Sequence, residues 1–167
     1  AGSGMAGISH LGDGSISHPA PCMRAAGTLQ DHKHSTEGVK STFHGVLRLM
    51  RWLRSDVRLL TKLGAEVGLR GPPTLVQMGI EQFGVRVSAN IEEAVAGADV
   101  IMMLRIQQER MHGAFIPSLR EYFNTFGMTA ARVAKAKPDV IIMHPGPMNR
   151  GLESASHVAD GPYSVIL

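Results

Sequence analysis

Short apolar runs alternate with amphipathic segments along the chain from Ser55 onward. The predicted strands lie at residues 67–69, 85–87, 99–104 and 140–143, and the β-branched run at residues 140–143 fits a strand buried on both faces. Apolar spacing, capping residues and prolines predict helices at residues 55–63, 91–96, 117–123 and 129–136, and a helical turn at residues 80–83. In the first helix, Val57, Leu59, Leu60 and Leu63 are predicted to face the core. This alternation predicts an α/β fold of three layers, a Rossmann-like parallel sheet with helices on both faces.

Length and composition fit one globular domain. The chain has 167 residues, of which 44% are apolar and 19% are charged, and these values are ordinary for a domain with a real core. Its apolar stretches are far shorter than the roughly 20 residues that span a bilayer, and the Gly- and Ser-rich start lacks the pattern of an export signal. Because Cys22 is the single cysteine, no intrachain disulfide can form. We therefore expect a cytoplasmic protein that does not insert into a membrane.

The charge pattern argues against several classes of partner. The 17 Lys and Arg residues against 14 Asp and Glu residues give a formal net charge of +3, which mildly favours small anions but does not indicate nucleic acid. The pair His32 and His34 has no cysteine or carboxylate cluster beside it that would complete a metal site. The glycines at residues 2–7 match a dinucleotide-binding pattern in letters only, since no strand precedes them. We expect neither a metal ion nor a dinucleotide at these residues.

Polar side chains follow two of the predicted strands. After the run at residues 99–104, Arg105 and Gln107 alternate around Ile106, so an extended backbone would point both to the same side. A guanidinium beside a neutral amide suits a carboxylate, which arginine binds through two hydrogen bonds. After the run at residues 140–143 comes the segment 144–151, His-Pro-Gly-Pro-Met-Asn-Arg-Gly, whose prolines stiffen it. Ligands of open α/β sheets bind at such strand ends, so both segments are predicted to be functional.

These two motifs resemble those of the aspartate/ornithine carbamoyltransferase family. Leu-Arg-x-Gln-x-Glu-Arg followed by His-Pro-Gly-Pro-Met-Asn-Arg-Gly is a specific combination, and further matches lie at residues 61–67, 71–75, 116–123 and 159–162. The likeness is close from about Arg54 to Leu167, looser from Leu11 to Lys40 and poor from Ser41 to Trp52. The ornithine enzymes carry a cysteine in the second motif. This chain has none there, which favours aspartate as the amino-acid substrate.

The resemblance implies an activity and a domain organisation. The family's aspartate branch transfers the carbamoyl group of carbamoyl phosphate to L-aspartate in pyrimidine biosynthesis, without a cofactor, as homotrimers of catalytic chains. By this likeness, residues 1–35 are a flexible start plus a remnant of the interdomain segment, and residues 36–167 are the aspartate-binding domain, truncated before its final helix. The family's phosphate-binding motif Ser-Thr-Arg-Thr-Arg belongs to its other domain and has no match here. We therefore expect the chain to be inactive alone.

The resemblance also assigns roles to particular residues. Arg105 matches the arginine that binds the side-chain carboxylate of aspartate, and Gln107 matches the glutamine beside it. Gly146 and Pro147 match the positions whose backbone carbonyls hold the carbamoyl amino group. His144 and Arg150 are expected to hold this loop in place rather than to touch substrate.

Two further candidates lie in less similar segments. His18 matches the histidine that donates to the carbamoyl oxygen, although Pro21 replaces the family's neighbouring glutamine and cannot supply its amide. Arg51 matches the arginine that binds the α-carboxylate of aspartate, while its neighbours do not match.

The divergent block from Ser41 to Trp52 lies between flanks that keep register. We interpret it as a compensated frameshift, and the interpretation is wrong if no neighbouring frame of the gene encodes a Val- and Ile-rich run there. Residues 40–44 would then have to fill a central strand with polar side chains. An unsatisfied buried polar group costs about 1–3 kcal/mol against a typical total stability of about 5–15 kcal/mol. We expect a weakened or rearranged first strand.

The same block supports a second hypothesis. Arg48, Arg51 and Arg54 recur at every third position among large apolar residues. Such a basic amphipathic segment could belong to a non-catalytic module that binds an anionic membrane or a partner groove. The start of a core helix beside a substrate arginine is the favoured interpretation.

Overall fold

A computed structural model of the chain describes residues 19–45, 53–72, 76, 79–106, 118–144 and 148–165, with side chains from residue 26 onward. The strands are β1 (Lys40–His44), β2 (Glu66–Arg70), β3 (Arg86–Val87), β4 (Val100–Met103) and β5 (Ile141–Met143). They form one sheet in the order β3-β2-β1-β4-β5, and every pairing within it is parallel. The predicted Rossmann-like parallel sheet is confirmed.

Helices cover both faces of this sheet, as predicted. The helices are α1 (Pro19–Lys33), α2 (Leu53–Lys62), α3 (Ile91–Val95), α4 (Leu119–Phe126), α5 (Ala130–Val133) and α6 (Ser156–Ala159), with a 3-10 turn at Ile80–Phe83. Along β4, Val100 and Met102 join a core with residues of α1 and α2, whereas Ile101 and Met103 join a second core with residues of α3, α5 and α6. A strand with apolar residues at every position is therefore buried on both faces.

Helix α1 is an element that the apolar pattern did not predict. Its residue Leu29 is 1% exposed and lies in the core shared with α2. The ammonium group of Lys33, at the end of the helix, lies 2.7 Å from the carboxylate of Asp139, just before β5. Residues 19–33 therefore pack on the sheet domain, while residues 1–18 lie outside the described ranges.

Strand β1 is ordered and central, so the expectation of a rearranged strand was wrong. All five of its residues pair with β2, and residues 41–44 also pair with β4. Phe43 supplies a large apolar side chain that is 0% exposed. The hydroxyl of Thr42 donates to the carbonyl of Ala94 at 2.7 Å, and Nε2 of His44 is hydrogen-bonded to the carbonyl of Phe126. Hydrogen bonds to distant residues therefore satisfy polar groups of Thr42 and His44, whose burial was expected to disrupt the strand.

Two buried polar atoms of β1 still lack partners in the described part of the chain, namely Oγ of Ser41 and Nδ1 of His44. We expect Ser41→Ala to leave the free energy of unfolding unchanged or to raise it, because it removes a buried hydroxyl that makes no hydrogen bond. Thr42→Val should lower it by about 1–2 kcal/mol, because it removes a partner of Ala94. Urea unfolding of both variants measures the difference. Equal effects at the two sites would contradict this distinction.

Several predicted bounds differ from the observed ones for local reasons. Leu63, predicted to face the core, is 40% exposed, because α2 ends at Lys62 and the chain turns at Gly64 with φ of +83°. Helix α4 begins later than residue 117, since the hydroxyl of Ser118 accepts the N–H of Glu121 as its cap at 3.0 Å. Within the described ranges, no helix is both long and apolar enough to cross a bilayer.

Candidate functional site

The strand order places a crevice at the carboxyl ends of β1 and β4. From β1 the chain adds β2 and then β3 on one side, and it returns to add β4 and then β5 on the other side. Ligands of open α/β sheets bind where the strand order reverses in this way, just beyond the carboxyl ends of the strands. The segments that begin at this edge are those after Gly45, after Leu104 and after His144.

Arg105 lies at this edge, where the sequence predicted a carboxylate site. Its neighbours Leu104 and Ile106 are both 0% exposed, whereas Arg105 itself is partly exposed. The N–H of Leu104 donates to the carbonyl of His44 at 2.9 Å, which extends the contact between β4 and β1 beyond the last paired residues. The backbone that carries Arg105 is therefore anchored between two buried residues.

Glu153 holds the segments after β4 and β5 together, and sequence reasoning missed it. The residue is 1% exposed. Its Oε1 accepts the N–H of Ile106 at 2.7 Å and the side-chain amide of Asn149 at 2.8 Å. Its Oε2 accepts the N–H of Asn149 at 2.9 Å and lies 3.1 Å from Nε2 of His144. An acidic residue within the otherwise uncharged stretch 151–155 was the available signal.

A further hydrogen bond joins these segments directly. The side-chain amide of Asn149 donates to the carbonyl of Ile106 at 3.1 Å. The residues next to Arg105 therefore contact the far end of the His-Pro-Gly-Pro-Met-Asn-Arg-Gly loop. His144 is buried against Glu153, and Arg150 forms an exposed ion pair with Asp160, so both make contacts that hold the loop.

A cleft of about 430 Å³ opens beside this loop. It is lined by Leu119, Arg120, Phe123, Asn149, Arg150, Gly151 and Leu152. The other candidates named from the sequence, His18, Arg51, Gln107, Gly146 and Pro147, lie outside the described residues. Their roles remain predictions, and Arg105 is the candidate whose place the structure gives.

A cluster of the side chains of Arg70, His44 and Tyr122 lies at the ends of β1 and β2, beside the same edge of the sheet. We call it the cationic cluster. Arg70 is 5% exposed, and its guanidinium carbon lies 4.5 Å from the centre of the Phe126 ring. Its Nη1 donates to the carbonyl of Gly71 at 2.7 Å, while Nε has no hydrogen-bond partner among the described residues. Burial lowers the pKa of Arg70 from its usual value. This buried cation was not predicted, because a lone arginine at a strand end carries no local signal of its stacking partner.

Burial also shifts two neutral groups of this cluster. It lowers the pKa of His44 from 6.5 to about 4, an effect to which the positive charges of Arg70 and Arg132 add. It raises the pKa of Tyr122 above its usual range, and the nearby charge of Glu153 acts in the same direction. Both side chains are therefore neutral at pH 7.

The described residues bear only in part on metal binding and on the basic amphipathic segment. Within them, no group of three or more His, Cys, Asp or Glu side chains is placed to hold a metal ion. Most of the basic amphipathic segment lies outside the described ranges. Leu53, near its end, begins α2 and is 1% exposed within the core, so this residue is not available to a membrane.

Comparisons with known proteins give the site its context. The family model for the aspartate/ornithine carbamoyltransferase Asp/Orn binding domain matches residues 37–167. The aspartate carbamoyltransferase catalytic subunit of Desulfosudis oleivorans is 49% identical over 160 residues, covering 96% of this chain and 51% of that protein. The catalytic subunit of Syntrophotalea carbinolica is also 49% identical, with the same two shares. The chain thus spans about half the length of the curated relatives it matches.

Solved structures share the fold. Ornithine carbamoyltransferase from Pyrococcus furiosus superposes with a TM-score of 0.76 at 25% identity, over 91% of this chain and 51% of that one. Aspartate transcarbamoylase from Trypanosoma cruzi, in complex with phosphate, gives a TM-score of 0.77 at 24% identity, over 94% of this chain and 53% of that one. The sheet of this chain is parallel throughout, and the domain match covers residues 37–167. The chain therefore belongs to the aspartate/ornithine carbamoyltransferase family.

Proposed function

We propose that this chain is the amino-acid-binding part of an aspartate carbamoyltransferase. The observation that carries the proposal is the position of Arg105 at the point where the strand order reverses, with its neighbour Ile106 hydrogen-bonded to the loop after β5. The 49% identity to relatives named aspartate carbamoyltransferase catalytic subunits supports aspartate rather than ornithine as the ligand. An arginine at this edge also suits an acidic side chain better than a basic one.

In the proposed reaction the α-amino group of L-aspartate attacks the carbonyl carbon of carbamoyl phosphate. The C–N bond forms, the C–O bond to phosphate breaks, and the amine loses a proton, giving N-carbamoyl-L-aspartate and phosphate. Catalysis then depends on aligning two anions and on stabilising the negative charge that develops on the carbonyl oxygen. In this scheme Arg105 binds the side-chain carboxylate and Arg51 the α-carboxylate, so that the amine is held in one direction.

The remaining candidates act on the carbamoyl group. The backbone carbonyls of Gly146 and Pro147 accept hydrogen bonds from its amino group, and His18 donates to its oxygen. The groups that bind the phosphate are expected in the part of the relatives that this sequence does not span. We further infer that the complete enzyme is cytoplasmic and forms homotrimers, as the family resemblance implies.

The role of Arg105 can be tested through the ligand. L-Asparagine has the amine and the α-carboxylate of L-aspartate but a neutral side chain, so the ratio of the two dissociation constants isolates the side-chain contact. We expect Arg105→Gln to weaken L-aspartate binding by about 10- to 100-fold, the loss that follows when a charged hydrogen-bonded contact of about 1.5–3 kcal/mol is removed. Binding of L-asparagine should change little. Titration followed by NMR measures both constants.

Arg86→Gln is the matched control, because it removes the same charge from an exposed position on the edge strand β3, away from the cleft. It should leave the ratio of the two constants unchanged. If the chain binds neither amino acid, or if Arg105→Gln weakens both equally, Arg105 does not select aspartate. Preference for L-ornithine over L-aspartate would place the chain in the other branch of the family.

A further inference from the structure

We propose that Glu153 is a positioning residue that fixes the two substrate-binding loops relative to each other. The inference rests on the proposed function, because it concerns the same site. Glu153 itself lies nine residues beyond His144 and contacts no candidate substrate residue in the described ranges. It acts through the backbone next to Arg105 and through Asn149.

The hydrogen-bond count of Glu153 supports this role. An ionised carboxylate only accepts hydrogen bonds and has about four lone-pair sites. Three N–H groups donate to it, one from Ile106 and two from Asn149, at distances between 2.7 and 2.9 Å, and Nε2 of His144 lies 3.1 Å away. Because a buried carboxylate is costly unless it is fully hydrogen-bonded, these donors are held at the same time. The two segments therefore cannot separate without exposing or breaking the carboxylate's contacts.

The contacts of Glu153 and Asn149 with Ile106 also fix the backbone of the neighbouring residue, Arg105. The peptide between Arg105 and Ile106 ends in the N–H that donates to Glu153, and the carbonyl of Ile106 accepts from Asn149. Both polar groups of Ile106 are thus held by the opposite loop. A carboxylate ligand is bound by two parallel hydrogen bonds from arginine only in a narrow range of orientations. The Cα position of Arg105 must therefore be fixed with similar accuracy, and Glu153 fixes it.

The replacement Glu153→Gln tests this with almost no change of shape. It puts an NH2 group where one oxygen accepted, so at least one of the donors from Ile106 and Asn149 faces another donor. We expect the dissociation constant for L-aspartate to rise by about 10- to 100-fold, the effect of a misplacement of about 1 Å. The constant for L-asparagine should rise much less. A general loosening of the fold would weaken both ligands alike, and that result would overturn the proposal.

Glu93→Gln is the matched control, since it makes the same replacement at an exposed position on α3, away from both loops. It should leave both constants unchanged. If Glu153→Gln does not fold, Asn149→Ala removes the side-chain donor to Glu153 and Ile106 while leaving the carboxylate in place. That variant should also reduce the preference for L-aspartate over L-asparagine. An unchanged preference in the folded variant would overturn the proposal.

Hydrogen exchange separates a failure of this inference from a failure of the proposed function. If the unaltered chain binds no L-aspartate, the proposed function fails. The positioning role is then judged from the amide protons of Ile106 and Asn149, which donate to Glu153. Glu153→Gln should accelerate exchange at these two amides while those of Val100 and Ile101 in β4 keep their protection. Equal acceleration throughout the domain, or none at the two amides, would overturn the proposal.

Discussion

The free energy of unfolding is expected to fall by about 3 kcal/mol when the pH is lowered from 6.5 to 4, because of one residue in the central strand. His44 is buried, and its pKa is lowered from 6.5 to about 4. Between these values the unfolded chain binds a proton that the folded chain excludes, so unfolding becomes more favourable as the pH falls. The stabilisation is complete above pH 6.5 and is lost progressively down to about pH 4.

The groups around His44 act in opposite directions. The carbonyl of Phe126, which is hydrogen-bonded to Nε2, favours the protonated ring. Burial, together with the positive charges of Arg70 and Arg132, favours the neutral ring and outweighs this contact. Three carboxyls have lowered pKa values, namely Asp139 and Asp160, with ordinary values of 3.8, and Glu92, with an ordinary value of 4.5. Most of their stabilisation is lost below pH 4.5, so they do not account for the main loss between pH 6.5 and 4.5.

Urea unfolding at several pH values checks this expectation. His44→Gln is the informative variant, because its amide can still donate to the carbonyl of Phe126 but does not titrate. The variant should lose the pH dependence between 6.5 and 4.5 while the original chain keeps it. His157→Gln provides the control, since His157 is exposed on α6. Equal slopes in the original chain and His44→Gln would show that another group is responsible.

Strands β2 to β5 were predictable because their signals are local. The apolar run of β4 is buried on both faces, and the 3-10 turn at Ile80–Phe83 falls where it was predicted. The position of Arg105 was predictable for the same reason, since a polar residue directly after a buried strand must lie at the edge of the sheet. Each of these inferences needed only a few neighbouring residues.

The rest depended on contacts between distant parts of the chain. Glu153 and Ile106 are 47 positions apart, so nothing near either residue reveals their hydrogen bond. Strand β1 looked unsuitable because its polar side chains were judged alone. The carbonyl of Ala94, 52 positions away from Thr42, satisfies one of them. Helix α1 was missed because Pro21 and Gly27 weaken the helical pattern that the rest of its sequence would give.

The substitution Leu29→Ala is expected to lower the free energy of unfolding by about 2–5 kcal/mol, the usual range for a buried leucine. Leu29 is 1% exposed and lies in the core that α1 shares with α2 and the sheet. A loss of this size is large against the total stability of about 5–15 kcal/mol that is typical of single domains. It would show that residues 19–33 contribute to the stability of the sheet domain.

The control for this substitution is Leu63→Ala, which removes the same atoms from a residue that is 40% exposed after α2. Its effect should stay within about 0.5 kcal/mol. Urea unfolding followed by circular dichroism measures both variants. If Leu29→Ala is as mild as the control, residues 1–35 are only a flexible start and an interdomain remnant, as the sequence predicted. A large loss of unfolding free energy in Leu29→Ala alone would instead place the start of the folding unit at residue 19 or earlier. A helix that stabilises the core belongs to the domain that it stabilises.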